Sequence, residues 1–76
     1  MWLSDCPVPA SVRVLGVHVD DDVRSRIAEL GLRPGALLRV TQHAAFGGIV
    51  VAAAGCRLAV DAATAHRVAV RQVPAR

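Results

Sequence analysis

The sequence contains no lysine and no tyrosine, only two cysteines, and only two aromatic residues, Trp2 and Phe46. Cys6 and Cys56 form neither a CxxC motif nor a Cys/His pattern at metal-ligand spacing, so we expect free thiols rather than a zinc or redox motif. The hydrophobic share of 54% consists mainly of Ala, Val and Leu. Such small and β-branched side chains suit the core of a compact sheet better than that of a helical bundle.

Long apolar runs are also missing. The longest stretch without a charged residue or histidine, Ala44 to Cys56, is shorter than the ~20 apolar residues of a membrane-spanning helix and contains three glycines. The first residues lack the basic start and apolar run of a secretion signal. We therefore expect a cytoplasmic protein without direct membrane insertion.

No sequence motif for catalysis is present. The serines and threonines have no histidine and acid in a local catalytic arrangement, and Gly47-Gly48 is not followed by the lysine of a phosphate-binding loop. A chain of 76 residues also leaves little wall from which to build a substrate pocket. The sequence thus predicts no catalytic residues and a protein that is not an enzyme.

The charge balance is basic, with nine arginines against six acids and a net charge of +3. Taken alone, this excess suggests a nucleic-acid partner. The arginines, however, are spread singly along the sequence, a distribution typical of a solvated surface. We therefore expect no nucleic-acid partner and keep a nucleic-acid-binding barrel as a third hypothesis only.

The N-terminal region is rich in proline. Cys6-Pro7-Val8-Pro9 predicts an extended arm over residues 1–10, because proline fixes its own φ and restricts the residue before it. Trp2 and Leu3 then either fold back over the core or face a partner. From Ser11 the residues alternate as in a strand, which opens a predicted domain over residues 11–73 with a tail at 74–76.

One amphipathic helix is predicted over residues 21–30, because Val23, Ile27 and Leu30 recur at helical spacing. Asp20 is expected to cap its N-terminus. Gly31 follows the last apolar residue, where a left-handed C-cap is favoured, and Pro34-Gly35 suits the centre of a type II turn.

The rest of the chain predicts short strands separated by tight turns. Gly47 belongs to a flexible hairpin turn, and Asp61 opens a short helical turn at about 61–66. The strands after the first are expected over Ala36 to His43, Ile49 to Ala54, Arg57 to Val60 and Arg67 to Arg71. Five strands and one helix predict a mainly β fold that closes into a small, partly open barrel.

This order of elements and turns resembles the ferrous iron transport protein A (FeoA) family over residues 12–72. Leu30-Gly31-Leu32-Arg33-Pro34-Gly35 is similar to the L-G-x-x-P-G signature of that family, whereas Ala44 to Ile49 lacks the prolines of the family's hairpin. The resemblance implies a cytoplasmic SH3-like barrel. It also implies a role in assisting the bacterial ferrous iron permease, which carries its own GTP-binding domain.

Candidate partner contacts are apolar residues on turns, since clustered apolar loop tips often form contact surfaces. They are Leu32, Pro34 and Phe46, with Arg33 as polar neighbour, whereas Asp20, Gly31, Gly35 and Gly47 are expected to shape caps and turns. For Leu32 the alternative is the apolar contact that accompanies the helix cap. The leading hypothesis is a non-enzymatic accessory protein that docks to the permease. Self-association is left open.

A metal site is the main alternative, and its weak candidates are His18, His43 and His66. These residues are ligand types suited to divalent transition metals, but no two of them are spaced as ligands on one helix. We expect no required cofactor and leave open weak binding of a divalent transition metal. The alternative function is a small metal-binding protein that carries or senses iron.

Overall fold

The computed structural model describes residues 1–45, 47–53 and 55–74. A 3-10 helix at Leu3–Asp5 comes first, and the main elements are β1 (Ala10–Val17), α1 (Asp21–Glu29), β2 (Leu37–His43), β3 (Ile49–Ala53), β4 (Cys56–Val60), α2 (Ala62–Ala65) and β5 (Val68–Val73). The mainly β prediction with five strands and one helix near residues 21–30 is confirmed, and the short helical turn is present as α2.

The five strands form one antiparallel sheet in the order β4-β3-β2-β1-β5. Two register shifts interrupt it, one between Val14 and Gly16 in β1 and one between Val40 and Gln42 in β2. Such bulges bend a strand and increase its twist, which lets a short sheet curve around its core. The β3–β4 ladder has an uninterrupted register.

The core consists of the inward residues of every strand together with four residues outside the strands, Leu3, Cys6, Leu32 and Ala65. The largest fully buried side chains are Leu3, Leu32, Leu38, Ile49, Val12, Val14, Val40, Val51, Val68 and Val70. Valine supplies most of them, as the composition predicts. No polar or charged side chain is buried among the described residues.

The N-terminal segment departs from a fully extended arm. Asp5 N–H donates to Trp2 O at 2.9 Å and Cys6 N–H to Leu3 O at 3.2 Å, which closes the 3-10 helix. This turn forms because the prolines come only after it, so its own N–H groups remain available. Leu3 is fully buried, and Trp2 pairs with Ala69 along the outer edge of β5. Trp2 and Leu3 thus fold back onto the domain.

Burial of Cys6, which is 2% exposed, raises the pKa of its thiol above the ordinary value of 9.0. The cause is mainly desolvation, which disfavours the charged thiolate. In the unfolded chain the thiol ionises at its ordinary pKa. Above that pH the folded state therefore holds more protons than the unfolded state, and its stability falls as the pH rises further.

We expect the free energy of unfolding to decrease above about pH 9. Because the chain has no lysine or tyrosine, neither of these side-chain types contributes to the slope in this pH range. Denaturant unfolding at several pH values measures the slope. Cys6→Ala should remove it, while Cys56→Ala, which changes an exposed thiol, should leave it. A slope that persists in Cys6→Ala would contradict this account.

Candidate functional site

The segment after α1 has the geometry of a Schellman motif. Gly31 N–H donates to Ala28 O at 3.0 Å, Leu32 N–H donates to Ile27 O at 3.0 Å, and Gly31 has a φ of +107°. This pattern satisfies carbonyls at the helix end and brings the residue after the glycine back against the last turn. Leu32 is accordingly directed inward.

A type II turn follows at once. Ala36 N–H donates to Arg33 O at 3.0 Å, and Gly35 has a φ of +89°, as the third position of this turn requires. Gly35 N–H donates to Val14 O at 2.8 Å, and the Arg13 guanidinium donates to Gly35 O at 2.9 Å. The turn is thereby held on β1 by hydrogen bonds from both sides.

The two leucines of the signature segment have the opposite exposure from that expected. Leu32 is 0% exposed and belongs to the core, so the prediction that it is an exposed partner contact is wrong. Leu30, predicted on the apolar helix face, is 51% exposed. The reason is that α1 ends at Glu29 and the left-handed glycine reverses the chain. The apolar contact that accompanies this cap was the signal for a buried Leu32.

A cleft of about 280 Å³ lies between the end of α1 and the start of β4. Its lining residues are Ala28, Glu29, Leu30, Gly31, Arg33, Ala53, Cys56, Arg57 and Leu58. The apolar side chains can receive an apolar group, and the two arginines can pair with a carboxylate beside it. Among the described residues, no histidine lines this cleft beside the Cys56 thiol.

Arg33 and Pro34 are exposed at this cleft and at the adjoining turn, as their candidate role requires. Phe46, the fourth candidate contact, lies outside the described residues. Gly47 has a φ of +93° and donates its N–H to Ala44 O at 3.0 Å in the hairpin turn. The structure therefore brings Arg33 together with Leu30 at the cleft, and Pro34 lies in the adjoining turn.

Asp20 occupies the N-cap position of α1, but its side chain makes no capping hydrogen bond. Its main-chain carbonyl accepts the Arg24 N–H at 2.8 Å. The prediction that the Asp20 carboxylate caps α1 is therefore wrong. This end of the helix is exposed, so water can solvate its free N–H groups. The neighbouring Asp21 instead forms an ion pair with Arg24.

The three histidines are in separate settings. His18 meets Trp2 edge to face, with ring centroids 6.0 Å apart, and His66 Nδ1 lies 2.8 Å from Ser4 Oγ. His43 is exposed at the end of β2. Within residues 1–45, 47–53 and 55–74, no three His, Cys, Asp or Glu side chains gather as a metal-binding group.

Comparison with known proteins connects this geometry to a family. The model of the FeoA domain matches residues 1–72. The chain belongs to the FeoA family. The match includes the signature segment, so the resemblance found in the sequence is confirmed. No curated protein matches the chain.

Solved FeoA structures are similar over nearly the whole chain. The FeoA protein from Chlorobium tepidum is 31% identical, with a TM-score of 0.89 over 97% of this chain and 71% of that chain. Stenotrophomonas maltophilia FeoA complexed with zinc, described as a procaryotic SH3 domain protein, is 32% identical, with a TM-score of 0.75 over 93% and 89%. An iron uptake regulatory protein (FeoA) is 27% identical, with a TM-score of 0.85 over 96% and 97%.

These similarities establish the SH3-like fold and the association of the FeoA family with ferrous iron transport.

None of the helices in the described residues has the length and apolar character needed to cross a membrane.

Proposed function

We propose that this chain is a non-enzymatic accessory factor of bacterial ferrous iron uptake. It acts in the cytoplasm by docking to the cytoplasmic part of an iron permease that carries a GTP-binding domain. Membership of the FeoA family supports the transport role. The observation that carries the docking role is the exposed end of the signature segment, where Leu30, Arg33 and Pro34 border the cleft beside β4 and the adjoining turn.

The backbone of this surface is held in place before a partner arrives. The glycine cap at the end of α1 and the type II turn leave few free torsions, and hydrogen bonds to β1 fix the turn. A preorganised surface loses little conformational entropy on binding. An exposed leucine flanked by arginines also matches the usual composition of an interface, in which a few desolvated anchors are surrounded by charge.

Leu30→Ala should weaken binding to the purified cytoplasmic part of the permease by about tenfold to a hundredfold, the usual range for a truncated anchor. Isothermal titration calorimetry measures the dissociation constant. The matched control is Leu15→Ala, because Leu15 is similarly exposed at 56% but lies on β1 and does not line the cleft. Equal losses in both variants, or an unchanged constant for Leu30→Ala, would exclude this cleft as the docking site.

A second candidate function is transition-metal binding, favoured by the zinc complex of the Stenotrophomonas maltophilia relative. Titration with Fe(II), Mn(II) and Zn(II) separates the two functions. Tight one-to-one binding that is lost in a His18, His43 and His66 triple substitution would favour a metal carrier over a docking factor.

A further inference from the structure

The strand pairing gathers arginines that are far apart in the sequence. Arg13, Arg39, Arg57 and Arg71 all lie at outward, exposed positions of β1, β2, β4 and β5. These four arginines are spread singly in the sequence and are exposed, and the pairing register places them on the outer face of one sheet. This face adjoins the docking surface, because Arg57 lines the cleft and the Arg13 guanidinium donates to Gly35 O in the adjoining turn.

Two rows of paired residues define the arrangement. In one row Arg13 is directly opposite Arg71 on β5 and Leu37 on β2. In the other, Arg39 and Arg57 are both opposite the small Ala52 of β3. Strands are spaced at about 4.8 Å, so the backbones at Arg39 and Arg57 lie about 10 Å apart.

No negative charge compensates these arginines within the sheet. None of the five strands contains an aspartate or glutamate. Among the described residues the one ion pair is Arg24 with Asp21, on α1. The Arg13 guanidinium donates to the uncharged Gly35 O, so no carboxylate neutralises it, and like charges directly opposite on neighbouring strands, here Arg13 and Arg71, destabilise a sheet. An anionic ligand would remove that destabilisation.

The same face also exposes apolar side chains. Leu37 is 57% exposed beside Arg13, and a shallow depression of about 310 Å³ next to Arg39 is lined by Leu37, Ala52, Val73 and Pro74 among others. Arginines around exposed aliphatic groups suit the boundary between lipid headgroups and acyl chains, where the charge contacts phosphate and the apolar group enters the boundary.

We propose that the outer face of the sheet, defined by Arg13, Arg39, Arg57 and Arg71, binds the surface of an anionic lipid bilayer. Nucleic acid suits this face less well. The described residues of the five strands include no Phe, Tyr or Trp on which bases could stack. The longest helix, α1, begins with Asp21 and Asp22, which oppose its entry into a DNA groove.

The test is co-sedimentation of the whole chain with vesicles of phosphatidylcholine containing phosphatidylglycerol. Binding should be absent on pure phosphatidylcholine and should weaken steeply with added salt. Each basic residue near an anionic surface contributes about a fivefold gain in affinity, so Arg39→Gln with Arg71→Gln should lower the partition coefficient about thirtyfold. Lysine at both positions should preserve binding, since a point charge suffices.

The matched control is Arg26→Gln with Arg67→Gln, which lowers the net charge by the same amount at exposed positions outside the sheet. It should change the partition coefficient less than about threefold. Equal losses in both pairs would show an effect of net charge and overturn the assignment to this face. Absence of binding to anionic vesicles would also overturn it, as would binding of duplex DNA in place of vesicles.

Discussion

Leu32→Ala should destabilise the fold by about 2–5 kcal/mol, the range for a leucine truncated in a packed core. Leu32 is 0% exposed and packs with the strand residues of the core cluster. Its backbone hydrogen bond to Ile27 remains in the variant, so the loss isolates the side chain. For a domain of this size the melting temperature should fall by roughly 10 °C or more, which thermal unfolding followed by circular dichroism measures.

Leu30→Ala is the matched control, since it removes the same atoms two residues earlier. With half of its side chain in solvent, Leu30 should change the stability by less than about 1 kcal/mol. The pair therefore separates a structural leucine from a docking leucine within one signature. A larger loss of stability for Leu30→Ala than for Leu32→Ala would contradict the burial described for the two residues.

The elements of the fold could be predicted because their signals are local. Alternating β-branched residues mark β1, and apolar residues at helical spacing mark α1. The exposure of Leu30 could not be predicted in the same way. Helical periodicity places Leu30 on the apolar face of α1. Whether the Leu30 side chain is buried, however, depends on the residue at which the helix ends and the chain reverses, and α1 ends one residue before Leu30.

The arginines on the outer face of the sheet could not be predicted to lie together, for a different reason. Arg13, Arg39, Arg57 and Arg71 have no common spacing in the sequence, and only the pairing register places them on one face. Register depends on turn geometry and on the bulges in β1 and β2, because a shift of one residue moves a side chain to the opposite face. Which residues of different strands share a face therefore cannot be predicted until the strand pairing is known.

Gly31→Val should destabilise the fold by about 3 kcal/mol, for two separate reasons. Gly31 has a φ of +107°, a conformation that a β-branched residue adopts only at considerable cost. In addition, a Cβ at this position would lie 3.2 Å from the Cβ of Ala53, which is fixed to the backbone of β3 and is buried. Denaturant unfolding measures the loss.

Gly35→Val distinguishes the two reasons. Gly35 has a similar φ of +89°, but a Cβ there would meet nothing within 4 Å. It should therefore show the backbone cost alone, about 1–2 kcal/mol. Equal losses at the two positions would mean that the close approach of Gly31 to Ala53 contributes nothing. An unchanged stability in Gly31→Val would contradict the left-handed cap itself. It would also contradict the reason given for the direction of Leu32 into the core.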